Sequence, residues 1–178
     1  MMRVDASSSS RIPRRNWLFI GLAGALVLAG LVLWAGWPSG DAAAPRERQY
    51  RDLTACLLTD ERGVEADPAR AAWAGMQSAS VATLVRVQYL PVLGAQTPEN
   101  AVTFFNTLAV QNCALIVAAG DAPVRAVLAG KGQFPGIRYV LVGNATADGS
   151  VTVVPAAPPE VVTSTVDSVL TELARDSP

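Results

Sequence analysis

The sequence predicts an α/β fold: a single three-layer α/β/α lobe on a mostly parallel sheet, preceded by one membrane-spanning helix. Three observations carry this expectation. From residue 51 onward, apolar runs of strand length alternate with amphipathic helical stretches, the pattern of βαβ units. One of those runs, residues 114–119, is apolar throughout, as a strand buried on both faces requires. Residues 17–37 form a 21-residue stretch without a charge, bounded by Trp17 and Trp37. At 1.5 Å per residue such a helix is about 32 Å long, close to a hydrocarbon core of roughly 30 Å.

Charge orients that segment. Residues 1–16 are a basic tail with four arginines against one acid, whereas everything after Trp37 carries ten cationic and fourteen acidic side chains. Positive flanks stay on the cytoplasmic side, so the N-terminus is expected inside and the C-terminal domain outside. A cleaved secretory signal is the competing reading, with Ala42-Ala43-Ala44 as a cleavage-like site. Signal h-regions run to only about 7–15 residues, and interfacial tryptophans mark a span, which favours the anchor. Residues 38–50 are small, polar and charged and read as a linker. The rest, 51–178, is the expected extracytoplasmic α/β lobe.

Within the lobe the first strand is Leu53–Thr59, followed by an acidic loop from Asp60 to Asp67. Asp67 is the expected cap of an Ala-rich helix over Ala69–Ser80, with Pro68 at its first position. A second strand, Thr83–Leu90, alternates polar and apolar residues and suits a sheet edge. Thr97-Pro98-Glu99-Asn100 opens a second helix whose Ala101, Phe104, Phe105, Leu108 and Ala109 share one face. The central strand Ala114–Ala119 turns at Gly120-Asp121 into a third helix through Val124, Val127 and Leu128, which Gly130 and Gly132 end. Ile137–Val142 is a fourth strand and Val151–Val154 a fifth. Pro159–Arg175 closes the chain as a helix with Val162, Val166, Val169, Leu170 and Leu173 inward. Right-handed crossovers then give the strand order 2-1-3-4-5.

Composition excludes several chemistries. The chain has no histidine, so neither a Ser-His-Asp hydrolase nor a His-ligated metal centre is available. No Gly-rich phosphate loop follows the first strand, and no Gly-x-Ser-x-Gly elbow is present. A net charge of -1 with a single lysine gives no footprint for nucleic acid. The reading is therefore of a non-enzyme with no cofactor and no metal.

In an open parallel sheet, ligands bind beyond the carboxyl ends of the strands where strand order reverses. That rule gathers Asp60 and Asp67 after the first strand, Gly120 and Asp121 after the third, and Asn144 after the fourth as candidate ligand-binding residues. Clustered carboxylates also suit a divalent cation, but polar loops after strands are ordinary, and a solvated acidic loop is the simpler expectation. Cys56 and Cys113 fall on neighbouring strands with a stagger near 10 Å at about 3.3 Å per residue, beyond the roughly 7 Å a disulfide spans. Two free buried thiols are expected.

The stretch Leu57-Leu-Thr-Asp-Glu-Arg-Gly63, then Asp67, then Ala72-Trp73-Ala-Gly75 resembles the opening of the basic membrane protein family of substrate-binding lipoproteins, which has the type 1 periplasmic binding fold. Cys113-Ala-Leu-Ile-Val-Ala-Ala-Gly120 resembles its third strand and turn, and Tyr139-Val-Leu-Val-Gly143 its fourth strand. The likeness covers residues 52–145, within one lobe. It implies a receptor-like fold, with nucleosides as the ligand of many members and ABC transporters as partners. Asp60, Asp67, Trp73, Gly120 and Asp121 fall where ligand-facing or structural family residues sit. Two departures stand out. The family binds ligand between two lobes, and where it has a Ser-Phe-Asn stretch before the tryptophan this chain has Pro68-Ala-Arg-Ala-Ala72. Trp73 is accordingly expected to pack helix on sheet.

The resulting expectation is a single-pass protein of the bacterial cell membrane whose lobe is a non-catalytic binding or interaction module, an accessory to a transporter. Its partners would be the membrane, through residues 17–37, and a protein or a second copy on the exposed lobe face. The alternative is an exported, signal-cleaved solute-binding protein for a nucleoside or small polar ligand.

Overall fold

The structure, a computed structural model, describes residues 49–177. The expected basic tail, the apolar run 17–37 and most of the linker lie outside them. Among the described residues no helix is long and apolar enough to cross a membrane.

Five strands alternate with four helices: β1 (Thr54–Thr59), α1 (Ala69–Thr83), β2 (Arg86–Pro91), α2 (Pro98–Val110), β3 (Leu115–Ala119), α3 (Asp121–Gly130), β4 (Arg138–Val142), β5 (Val151–Val154) and α4 (Pro159–Asp176). Short 3-10 turns occupy Gly63–Glu65 and Lys131–Gln133. The sheet has the order β2-β1-β3-β4-β5 with every pair parallel, as the alternation and crossover rule predict.

Period-two alternation divides the core. Ala55 and Leu57 of β1 with Val117 of β3 face α1 and α4, where Met76, Val162, Val166 and Leu170 are buried. Cys56 and Leu58 with Ile116 and Ala118 face α2 and α3, where Phe105, Leu108 and Val127 are buried. All five residues of β3 are buried, so this is the central strand that its unbroken apolar run predicts. Three of the six residues of β2 are exposed, the other three are intermediate and none is buried, in keeping with its edge position.

The differences are local and physical. α1 runs through Thr83, where the second strand was expected to begin, and ends with Leu84 in the left-handed region at φ 62°. Asp67 caps nothing: Pro68 is the cap residue, without a side-chain hydrogen bond, so the aspartate lies one position too far out to reach the first free N–H groups. At α2 the sequence signal holds, with Thr97 accepting from the Asn100 N–H at 3.3 Å and Pro98 in the first turn. Phe104 is half-buried and Leu128 exposed, both at the rim of the apolar face to which the sequence assigns them.

The expectation of two free thiols is overturned. Cys56 and Cys113 form a disulfide with Cα atoms 5.9 Å apart. The register does offset them by three residues, since Ala55 pairs with Leu115. The 10 Å estimate treats Cys113 as part of an extended strand, whereas β3 starts at Leu115 and Asn112, at φ 59°, turns the chain just before the cysteine. Cys113 therefore approaches from the α2 side, the same side to which Cys56 points.

At the crossing of α1 and α4, Thr163 Oγ1 donates to the Ala71 carbonyl at 3.0 Å, and a Cβ at Gly75 would collide with the Thr163 carbonyl oxygen. Gly75→Ala should lower stability by about 1–3 kcal/mol through overpacking, despite alanine's better helix propensity. Gly132→Ala, with nothing within 4 Å of its Cβ, should not; urea unfolding of both checks this. Before β5, Lys131 Nζ donates to Asp148 Oδ2 at 2.7 Å and to Ser150 Oγ at 2.6 Å. The Lys131 ammonium, then the Ser150 hydroxyl and N–H, hold the Asp148 carboxyl below the usual carboxylate range. A carboxylate depressed in the folded state contributes stability above its unfolded pKa and loses it as pH falls through the folded one. Stability should thus drop less steeply below about pH 4 in Asp148→Asn than in the native chain, as read from urea midpoints across that range.

Candidate functional site

The β1/β3 boundary is where strand order reverses, and the loops that leave these strands meet there. Thr59 ends β1 fully buried, and its hydroxyl donates to the Asp60 carbonyl at 2.9 Å. Gly120 follows β3 at φ 105°, a left-handed conformation open to glycine at little cost. A Cβ there would stand 3.9 Å from the Asp60 Cβ, so Asp60 and Gly120 are neighbours across the crevice. Asp121 is exposed in the first turn of α3, where an acid complements the helix dipole.

Asp60 does not present a free carboxylate. Its Oδ1 accepts from the Arg62 N–H at 3.0 Å, and its Oδ2 accepts from Arg62 Nη2 at 2.9 Å and Nε at 3.3 Å. The side-chain hydrogen bond to Asp60, followed by the charge of that carboxylate, raises the Arg62 pKa above the ordinary arginine value. This forked pairing fixes the loop beyond β1 and leaves Arg62, rather than Asp60, as the more exposed partner.

The other expected residues divide. Asp67 lines an open groove of about 590 Å³ between α1 and α4, together with Arg70, Ala74, Glu160 and Asp167, and is not gathered into the crevice residues. Its carboxylate stands 3.9 Å from Arg70 on exposed surface, a weak pair. Asn144 is exposed after Gly143, whose φ is 144°. Trp73 packs against the buried cluster between the sheet and α1/α4, as expected for helix-on-sheet packing. The sequence reading does not anticipate its partner: the Tyr89 ring meets it edge-on at a centroid distance of 5.4 Å and 70°. Gly63, at φ 61°, seats the 3-10 turn over that tyrosine, its would-be Cβ 3.5 Å from Tyr89 Cε2. Tyr89 is 45% exposed, and its place in the alternating edge strand was the available signal.

A second concavity, of about 480 Å³, lies at the opposite, amino-terminal ends of β1 and β2 and is lined by Tyr50, Thr54, Arg86, Gln88 and Gln111. Gln88 Nε2 donates to Gln111 Oε1 at 3.1 Å and lies 3.2 Å from Cys56 Sγ, so this amide covers the disulfide. Among the described residues no three carboxylate or cysteine side chains stand close enough to hold a metal ion.

No family model matches the chain, and no curated protein does. Among solved structures the lobe is similar to a fragment assigned as a lipoprotein from Peptoclostridium difficile 630, with a TM-score of 0.56 at 10% identity over 68% of this chain and 98% of that one. It is also similar to a solute-binding protein of an ABC transporter system from Aeropyrum pernix K1 (TM-score 0.47, 17% identity, 57% of this chain and 28% of that one). A third is a transcriptional activator of the comK gene from Bacillus halodurans (TM-score 0.46, 18% identity, 57% and 33%). The chain spans a third or less of these last two proteins. At 10% identity, the first likeness shows a shared fold.

Proposed function

We propose that this chain is a membrane-anchored, non-catalytic binding module whose lobe stands on the extracytoplasmic side of the membrane. The observation that carries the reading is the Cys56–Cys113 disulfide, buried in the layer between the sheet and α2. Structural disulfides form and persist in oxidising compartments and are rare in reducing ones. The reading also draws on the basic flank and uncharged 21-residue run of the sequence, which set the same orientation. A fold shared with a fragment assigned as a lipoprotein is consistent with that location.

The module acts by surface recognition rather than by enclosing a solute. Small-ligand sites normally bury about 70–90% of the ligand, whereas the crevice edge here is a surface whose central carboxylate, Asp60, is already held by Arg62. The finer assignment, one lobe of the basic membrane protein family serving a transporter, belongs to the same reading and rests on the sequence resemblance.

Chemical crosslinking of the full chain in its native membranes is the test. A discrete crosslinked product that weakens in Asp121→Arg, a change on the exposed crevice rim, is the expected outcome. Melting temperatures of the purified full chain against nucleosides, sugars and amino acids should stay flat. A clear shift from one solute class would instead favour the exported solute-binding protein, because a ligand at a hundred times its Kd adds about 2.7 kcal/mol to the native state.

A further inference from the structure

Helices α1 and α4 leave a valley on the outer side of the lobe. Thr163 Oγ1 donates to the Ala71 carbonyl, and one turn further along a Cβ at Gly75 would stand 3.2 Å from the Asp167 backbone nitrogen, so the two helices advance side by side in the same direction. Each presents one stripe to the valley: Ala71, Ala74 and Ser78 on α1, and Glu160, Thr163 and Asp167 on α4. These stripes wall the open groove of about 590 Å³ in which Asp67 lies. Spacings of three, four and seven residues keep each stripe on one helix face over two turns. The side chains of the α1 wall are small, so a third helix can lie in the valley at the axial distance of about 8–10 Å usual for packed helices.

Charge says what kind of helix fits. Asp67 and Glu160 stand at the heads of the two helices, and Asp167 lies two turns along α4, about 10 Å further on at 1.5 Å per residue. Asp67 is 3.9 Å from Arg70 on exposed surface, and neither Glu160 nor Asp167 has an ion-pair partner among the described residues. Two of the hydroxyls are already engaged, Thr163 with the Ala71 carbonyl and Ser164 with the Val161 carbonyl at 3.2 Å. The groove therefore offers carboxylates at both ends of a floor made by Ala71, Ala74 and Pro159. A second copy of the lobe lacks the complement. Among the described residues α1, α3 and α4 hold one cation each, Arg70, Arg125 and Arg175, and α2 holds none, so no helix carries two cations seven residues apart.

We propose that the groove between α1 and α4 docks an amphipathic helix of another protein, one with basic side chains seven residues apart on either side of a short apolar ridge. One basic residue meets Asp67 and Glu160, the other meets Asp167, and the ridge fills the floor between them. Exposed ion pairs are weak, so the charges orient the helix and speed its encounter, while burial of the ridge supplies the affinity. This surface is separate from the crevice rim, and its occupation depends on neither the anchor nor the compartment of the proposed function.

The test uses the purified full chain in a non-ionic detergent and a fluorescent Ala-rich peptide of about 16 residues, long enough to be helical, with two lysines seven apart flanking two leucines. Anisotropy should show saturable binding that weakens as salt rises. Glu160→Lys with Asp167→Lys should raise the Kd about tenfold. Ala74→Trp, which fills the groove and leaves its charges in place, should abolish binding; Ala74 is exposed, and unchanged circular dichroism identifies the folded variants. Glu99→Lys, at the exposed start of α2 on the opposite face of the sheet, should leave the Kd as it is. Absence of saturable binding to the native chain overturns the proposal. So does a Glu99→Lys chain that loses as much affinity as the groove reversal, since the attraction would then be diffuse. Equal binding of the same peptide with prolines at its centre overturns the helix as occupant. A native dimer that Ala74→Trp dissolves in sedimentation overturns it in favour of a second copy.

Discussion

The arrangement depends on the burial of β1 and β3 on both faces. From Ala55 to Thr59 and from Leu115 to Ala119 every residue is buried, so apolar surface must be removed from water on both sides of the sheet centre. Two helices are therefore required on each face, α1 with α4 and α2 with α3, and right-handed crossovers leave little freedom in how they connect. The same constraint places the reversal of strand order between β1 and β3. Their carboxyl ends then carry the loops where a binding edge can form, while the amino ends carry the point at which the chain enters.

The disulfide reinforces that centre. It ties the middle of β1 to the turn that feeds β3 and closes a loop of 57 residues containing α1, β2 and α2. In the chain-entropy account, a crosslink over that separation removes about 4 kcal/mol of unfolded-state freedom, a large share of a typical domain's stability. Gln88, on the neighbouring strand in register with Cys56, lies over the bond and shields it from solvent. A lobe built this way is stabilised where its two most buried strands meet, and only in a compartment that keeps the bond oxidised.

Periodicity made most of the architecture legible. Element number, strand order, the edge character of β2 and the central place of β3 all follow from patterns of burial that recur every two or 3.6 residues. The failures lie where one residue's backbone departs from the regular path. Leu84 and Asn112, both left-handed without being glycine, set the start of β2 and bring Cys113 within reach of Cys56; leucine gives no sign of that conformation, and asparagine, which favours it, does not by itself fix where the next cysteine goes. The site was read less well than the fold. Asp60 and Gly120 do stand side by side at the strand ends, with Asp121 next in the chain, because topology alone puts them there. Asp67 diverges because Pro68, not the aspartate, caps α1, and the Arg62 fork on Asp60 depends on side-chain geometry that spacing does not reveal.

The disulfide is also the most direct test of the whole account, since fold, compartment and orientation converge on it. Cells expressing the full chain would be quenched in acid, the protein denatured without reductant, and its thiols alkylated and counted by mass. No free thiol is expected before reduction, and two after it. Two alkylated cysteines before reduction would place the lobe in a reducing compartment and contradict the extracytoplasmic assignment.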